Sequence, residues 1–568
     1  MQLPPVLRTV LIAVPLLVPF PGRAAALPAP APRPALGAFL AGTVASHLGD
    51  AGTAADLLLD ALAHDPDDPA LLQPAFLFST LAGRRQAASL AAKVPPSLIT
   101  ALVLANDRAL QGDWAAARRD FAAIPGSTLN RAIRPLLLAW AQQAMGDTDG
   151  ALRSLSSAGS AGPLAGACAL EAGLVAETAG RRDAAAVLYR NAVTLFPESS
   201  LATVQEAGGY LARNGHEAEA RAMLHLLVQQ IGLLGMAEPG LSAALARPVV
   251  TDPRQGLARA YLAIAVLLQD PEKGGGGAGS QEAAAFMLRF ALDLQPDLAP
   301  ARLMMAELLA PNHPEAALKE LSGVAENDPL APLAELRTAT LLAATGHRDD
   351  SVSRLRQLVR LYPGQPEPAQ SLGDVLSEGK RYPEAVAAYD EALADRRRLA
   401  AAGRAGGLAA NDWQLLFARA VAFDRQNRWP QAKADLEQAL ALSPTEPYVL
   451  NYLGYSLVER HQDLRQARVL IQRALAGKPD DGSIRDSLGW VMLRQNDVSG
   501  AVRTLEQAAE QIPEDPTVNY HLGAAYWAAG RKIEAEDQWR WALVLHPEPD
   551  DAAKIRAALR RADAAAAP

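Results

Sequence analysis

Apolar positions along this chain recur at helical rather than strand spacing. Between Gly482 and Pro513, Leu488, Gly489 and Met492 stand at i, i+1 and i+4, and Ala501, Leu505 and Ala508 follow at i, i+4 and i+7. Each set predicts one face of an amphipathic helix. Gly489 has no Cβ, so a second helix can approach it closely. Pro513 cannot extend the second helix and resets the chain. The stretch predicts a hairpin of two helices that share a small–large–small seam.

The hairpin repeats. Leu453-Gly454-Tyr455, Leu488-Gly489-Trp490 and Leu522-Gly523-Ala524 fall 35 and then 34 residues apart. Behind each comes a small residue (Ala467, Ala501, Ala535), a large one (Ile471, Leu505, Trp539), a second Ala (Ala474, Ala508, Ala542) and a Pro (Pro479, Pro513, Pro547). The frame walks back through Ala432, Leu436 and Ala439, through Gly373, Ala385 and Tyr389, through Gly173, Ala185 and Tyr189, to Gly42, Ala54 and Leu58. About fourteen periods of 34 fill about 476 residues, from near residue 35 to near 547. The rest goes into insertions at 233–252, at Gly274–Gly277 and at 398–411. An unbroken helical period of this length predicts an all-α solenoid, which recognises partners on an extended surface.

The boundaries follow from the frame: 1–26 a leader, 27–34 an Ala/Pro-rich linker, 35–232 a first array, 233–252 an insertion, 253–397 a middle array with the Gly-rich insertion, 398–411 an insertion, 412–547 a C-terminal array, and 548–568 a helix and tail. The insertions at 233–252 and near 274 stand where they would let the halves flex.

Unit by unit, these residue types and spacings resemble the tetratricopeptide repeat (TPR) family. The resemblance implies a right-handed α-solenoid of about fourteen TPR helical hairpins, with the first helix of each pair lining a groove. Residues two, five, nine and twelve of each unit would face that groove: Gln414, Phe417, Val421 and Asp424; Tyr448, Asn451, Tyr455 and Val458; Ser483, Asp486, Trp490 and Leu493; Thr517, Tyr520, Ala524 and Trp527. The candidate protein-binding groove is therefore Phe417, Tyr448, Asn451, Tyr455, Asp486, Trp490, Tyr520 and Trp527. Its rings offer large contact area at small entropic cost. Trp539 is expected to fill the seam between helices instead. Six of the eight tryptophans lie after residue 400, which also places recognition toward the C-terminus. Some TPR domains grip a terminal carboxylate with Lys/Arg and Asn. The matching places here hold Asn451, Tyr455, Ser487, Thr517 and His521, with no basic residue, and this disfavours such a grip.

Residues 445–550, from Leu450-Asn451-Tyr452-Leu453-Gly454-Tyr455 through Leu488-Gly489-Trp490 to Ala525-Tyr526-Trp527, resemble more narrowly a family of bacterial envelope TPR adaptors. What that resemblance implies is an adaptor that binds a carboxyl-terminal processing protease and delivers envelope substrates to it. The best understood member is a lipoprotein, whereas no Cys follows the leader of this chain.

Composition narrows the field. The net charge of −8, with acids and bases interspersed, leaves no basic footprint for nucleic acid. Arg396-Arg397-Arg398 reads as a helix C-terminus facing its macrodipole. At the start, Arg8, the apolar run Thr9–Phe20 and Ala24-Ala25-Ala26 form an export signal, too short for a comfortable membrane span. A periplasmic location is expected, with no integral span in the mature chain; an uncleaved leader would tie it to the membrane. Cys168, the single cysteine, stands in a first helix and is expected to be a small buried hydrophobe.

No catalytic pattern emerges. His216-Glu217 begins like a zinc-protease helix, but Ala220 stands where the second His belongs. The glycine run at 274–277 lacks the Lys-Ser/Thr of a phosphate loop. Asp-rich stretches such as Asp65–Pro69 and Pro479–Gly482 fall at turns, where Asp caps the next helix. No cofactor and no metal site is expected. The leading reading is a non-enzymatic scaffold of the bacterial cell envelope with protein partners, including a periplasmic protease. The alternatives are a scaffold for exopolysaccharide or outer-membrane assembly, and an enzyme whose site is invisible in sequence.

Overall fold

A computed structural model describes residues 35–124, 126, 128–157, 164–195, 200–270, 278–403 and 412–566. The leader, the linker, the glycine run at 274–277 and most of the 398–411 insertion lie outside the described residues. In chain order the helices come as fourteen helix–turn–helix pairs, from Ala35–His47 with Ala51–His64 to Pro516–Ala528 with Lys532–Val544. A single helix, Pro549–Ala566, follows, and the described residues contain no strand. The expected all-α solenoid of about fourteen hairpins is what the chain builds.

The chain divides into two compact units, one ending at Gln86 and one beginning at Ala87. In the first, Gly42 lets helix Ala35–His47 lie against Leu58; a Cβ at Gly42 would stand 2.9 Å from Leu58 Cγ. Asp56 and Arg84 close this unit with an ion pair at 2.8 Å.

The second unit shows why the repeat needs its residue types. Asp481 begins helix Gly482–Arg494 by accepting hydrogen bonds from the N–H groups of Ser483 (3.0 Å) and Ile484 (3.1 Å), two donors the helix itself cannot satisfy. Asn496 turns the chain with φ 66°, and helix Val498–Gln511 returns. At the crossing, a Cβ on Gly489 would sit 2.5 Å from Leu505 Cγ. Gly454 meets Ile471 at 2.6 Å and Gly523 meets Trp539 at 2.5 Å in the same way. Trp539 fills its seam as expected. Cys168 is buried too, and burial pushes its thiol up to about 12.

Two features depart from a plain stack. The 233–252 insertion is folded, not loose. Leu234, Met236, Leu241 and Leu245 are buried in one core with Leu333 and Leu336, and Gly240 lies against Pro329. Four apolar side chains anchor the segment where the sequence suggested a place to flex. Second, helix Pro253–Gln269 folds back onto helices Thr128–Ala144 and Ala165–Thr178, while Ala278–Leu294 reaches Leu98–Gln111. Gly256 makes this possible, because a Cβ there would stand 2.2 Å from the Trp140 ring. Tyr261, wholly buried, donates to Asn106 Oδ1 at 2.9 Å.

Candidate protein-binding groove

In the second unit, first helices of successive pairs such as Pro447–Glu459, Gly482–Arg494 and Pro516–Ala528 lie side by side, and groove residues from several repeats meet on their shared face. In pairs three to five that face is taken. Trp140 is buried beneath Gly256, with its Nε1 donating to Glu171 at 2.8 Å. A π-turn at Val204–Gly208 carries Glu206 to within 3.4 Å of Arg259. Burial pushes Glu171 well above the usual carboxylate range and Glu206 up to about 7. The chain's own helix thus occupies the early groove.

The C-terminal face differs. Helices Pro447–Glu459, Gly482–Arg494, Pro516–Ala528 and Pro549–Ala566 surround a cavity of about 230 Å³. Its walls are Tyr455 and Tyr520, both half-buried, and its floor is Trp490 and His521. Glu459, His461, Arg494 and Lys554 stand exposed at its rim.

Of the eight residues the sequence singles out, Tyr455, Trp490 and Tyr520 line this cavity, and Asp486 supports it from beneath. Trp490 is only 8% exposed and Asp486 5%, so neither presents an open surface. The cause is His521, 2% exposed. Its ring stacks on Trp490 at a centroid distance of 4.0 Å, and its Nδ1 donates to Asp486 at 2.9 Å. Trp490 Nε1 in turn donates to Glu459 at 2.8 Å. The other four lie along the same row of helices. Phe417 packs edge-on to Tyr452 at 5.5 Å, and Tyr448 accepts a hydrogen bond from Lys478 at 2.8 Å. Asn451 Oδ1 is buried without a partner. Trp527 leans on Trp539 at 5.8 Å with the Lys532 ammonium over its face.

Sequence reasoning overlooked the rim and the last wall. Asp551, Lys554 and Ile555 stand 34 residues beyond Thr517, Tyr520 and His521. Helix Pro549–Ala566 is therefore a fifteenth first helix, and extending the period by one step would have found it. It also brings a cation to a site whose aligned positions had shown none.

Four stretches of the chain, residues 136–200, 336–402, 417–484 and 487–540, match the family model described as tetratricopeptide repeat. Among curated proteins, a TPR repeat-containing protein of Pseudomonas aeruginosa is 31% identical over 211 residues, 36% of this chain and 33% of that protein. Interferon-induced protein with tetratricopeptide repeats 2 of Mus musculus is 31% identical over 110 residues, 19% of this chain and 23% of its own length. The chain spans about a third or less of the length of these curated relatives. Among solved structures, the Cut9–Hcn1 hetero-tetramer of the APC/C is 14% identical and covers 92% of this chain and 95% of that chain, at a TM-score of 0.37. YrrB, a TPR protein with an unusual peptide-binding site, is 19% identical and covers 36% and 97%, at 0.27. The hairpins within those four stretches are similar to tetratricopeptide repeats.

Proposed function

We propose that this protein is a non-enzymatic scaffold of the bacterial cell envelope that docks a protein partner in the groove around Tyr455, Trp490 and Tyr520. The observation that carries the reading is the cavity itself. Four first helices converge on it, two half-buried phenol rings wall it, and a buried His–Asp–Trp unit fixes its floor. Tetratricopeptide arrays use such a face for protein–protein contact, and half-exposed aromatic rings on a rigid base are what a contact anchor requires. The early groove is filled by helix Pro253–Gln269, whereas the C-terminal face keeps a cavity.

The narrower part of the proposal, a periplasmic adaptor joining a processing protease to its substrates, is supported by the export-like leader at 1–26 and by the likeness of residues 445–550 to envelope adaptors. A photoreactive residue at Thr517, used in whole cells, tests both parts. Capture of a periplasmic protein, abolished by Tyr455→Ala with Tyr520→Ala in a chain of unchanged circular dichroism, is the expected result. Capture that is indifferent to those substitutions would remove the site. Capture of cytoplasmic proteins alone would remove the location.

A further inference from the structure

The cavity is lined by more than rings, and the sum of its charges points to a kind of partner. On one side, Glu459 and Asp551 flank Tyr455 and Tyr520, with the Asp486 carboxylate below the floor. The acids have unequal obligations. Asp486 is held by His521, whereas Glu459 accepts from the Trp490 indole N–H, a neutral donor. Burial, and next to it the charges of Glu459, Asp486 and Asp551, hold the Tyr455 hydroxyl well above its ordinary range. Lys554 lines the same cavity. Its ammonium pairs with Asp551 at 2.8 Å, and its charge is favoured by Asp551, Glu459 and Tyr520. Lys554 remains half exposed, on a flexible stem that can swing into solvent. Arg494 sits on the opposite rim, against His461 and over the Trp490 ring at 5.5 Å.

We propose that the place held by the Lys554 ammonium, against Asp551 in the cavity that Glu459 and Tyr520 also line, is a receiving site for a lysine or arginine side chain from an extended segment of the protein partner, and that Lys554 is its built-in competitor. This rests on the groove reading above and names the partner's chemistry. Two carboxylates beside aromatic faces, in a recess partly shielded from water, suit an alkylammonium or guanidinium group by charge and by cation–π attraction. The occupant seen from within the chain has the chemistry expected of the occupant from outside.

The test uses the purified full chain and three acetylated, amidated, fluorescein-labelled decapeptides of one Leu/Phe-containing frame, with Arg-Lys, Gln-Gln or Glu-Asp at the centre. Fluorescence anisotropy should rank Arg-Lys first. Lys554→Met, at an exposed position, should bind it about three- to fivefold tighter, and Glu459→Gln, which retains an acceptor for Trp490, about three- to fivefold weaker. Both effects should fade in 1 M salt. Preference for the Glu-Asp peptide, weaker binding by Lys554→Met, or equal or undetectable binding of all three peptides would overturn the inference. Photocrosslinking from Thr517 judges the groove reading separately, so either can fail alone.

Discussion

The imidazole of His521 lies flat on the indole of Trp490, with ring centroids 4.0 Å apart and planes 16° apart, while its Nδ1 donates to the buried Asp486. Two consecutive repeats are thereby locked through one side chain. Removing the imidazole leaves a buried carboxylate with no partner, a situation costing about 3–5 kcal/mol when a buried pair is broken. His521→Ala should lower unfolding free energy by about that amount in urea. Asp486→Leu with His521→Leu should recover part of it, since two apolar groups leave no charge stranded.

A second expectation concerns the helix crossing. Gly489→Ala gains about 1 kcal/mol of helix propensity, yet it sets a Cβ 2.5 Å from Leu505 Cγ and 3.3 Å from the Leu505 backbone nitrogen. Leu505 is fully buried and has nowhere to go. Overpacking of this kind costs about 1–3 kcal/mol, so net destabilisation should appear as a lower urea midpoint, and Gly489→Val should exceed it.

Stability should also depend on pH in a definite direction. Burial pushes Glu206 up to about 7, and Asp293 and Asp374 up to about 6. Between the ordinary carboxylate value and these raised ones the folded chain holds more protons than the unfolded chain. Their contribution is therefore complete below about pH 4 and is lost as pH rises toward about 7. Urea midpoints taken from pH 4.5 to 7.5 should carry this downward component, and Glu206→Gln should reduce its slope. An unchanged slope in that variant would show that Glu206 is not a source.

The helix that fills the early groove can be tested by hydrogen exchange. Gly256→Ala forces a Cβ onto the Trp140 ring, 2.2 Å away. Amides of helix Pro253–Gln269 should then exchange at least about tenfold faster, the equivalent of roughly 1.4 kcal/mol of local opening. Protection in helix Gly482–Arg494 should not change.

The hairpins were legible because their signal is local and periodic. Gly489 opposite Leu505 and Asp481 before Ser483 can be read from spacing alone. The groove was only half legible. Position nine of the unit holds both Tyr455 and Trp490, which line one cavity, but spacing could not tell that His521, four residues after Thr517, would cover Trp490 from the next repeat. Arg259 meeting Glu206 was further out of reach, since it requires a π-turn and a helix that doubles back. The 233–252 insertion misled for a related reason. It stood outside the repeat frame as a place to flex, and its buried leucines share a core with Leu333 and Leu336, about a hundred residues downstream.

Tyr261 reaching Asn106 across 155 residues changes what kind of repeat protein this is. An ordinary array is a string of beads: units can be added, removed or exchanged, and each feels only its neighbours. Here the string is tied in a loop, so deleting one hairpin between the two residues would pull the knot apart instead of shortening the string. Such a loop closes only after a long wait for distant segments to meet, and the early repeats should mature as one block, more slowly than the beads that follow them.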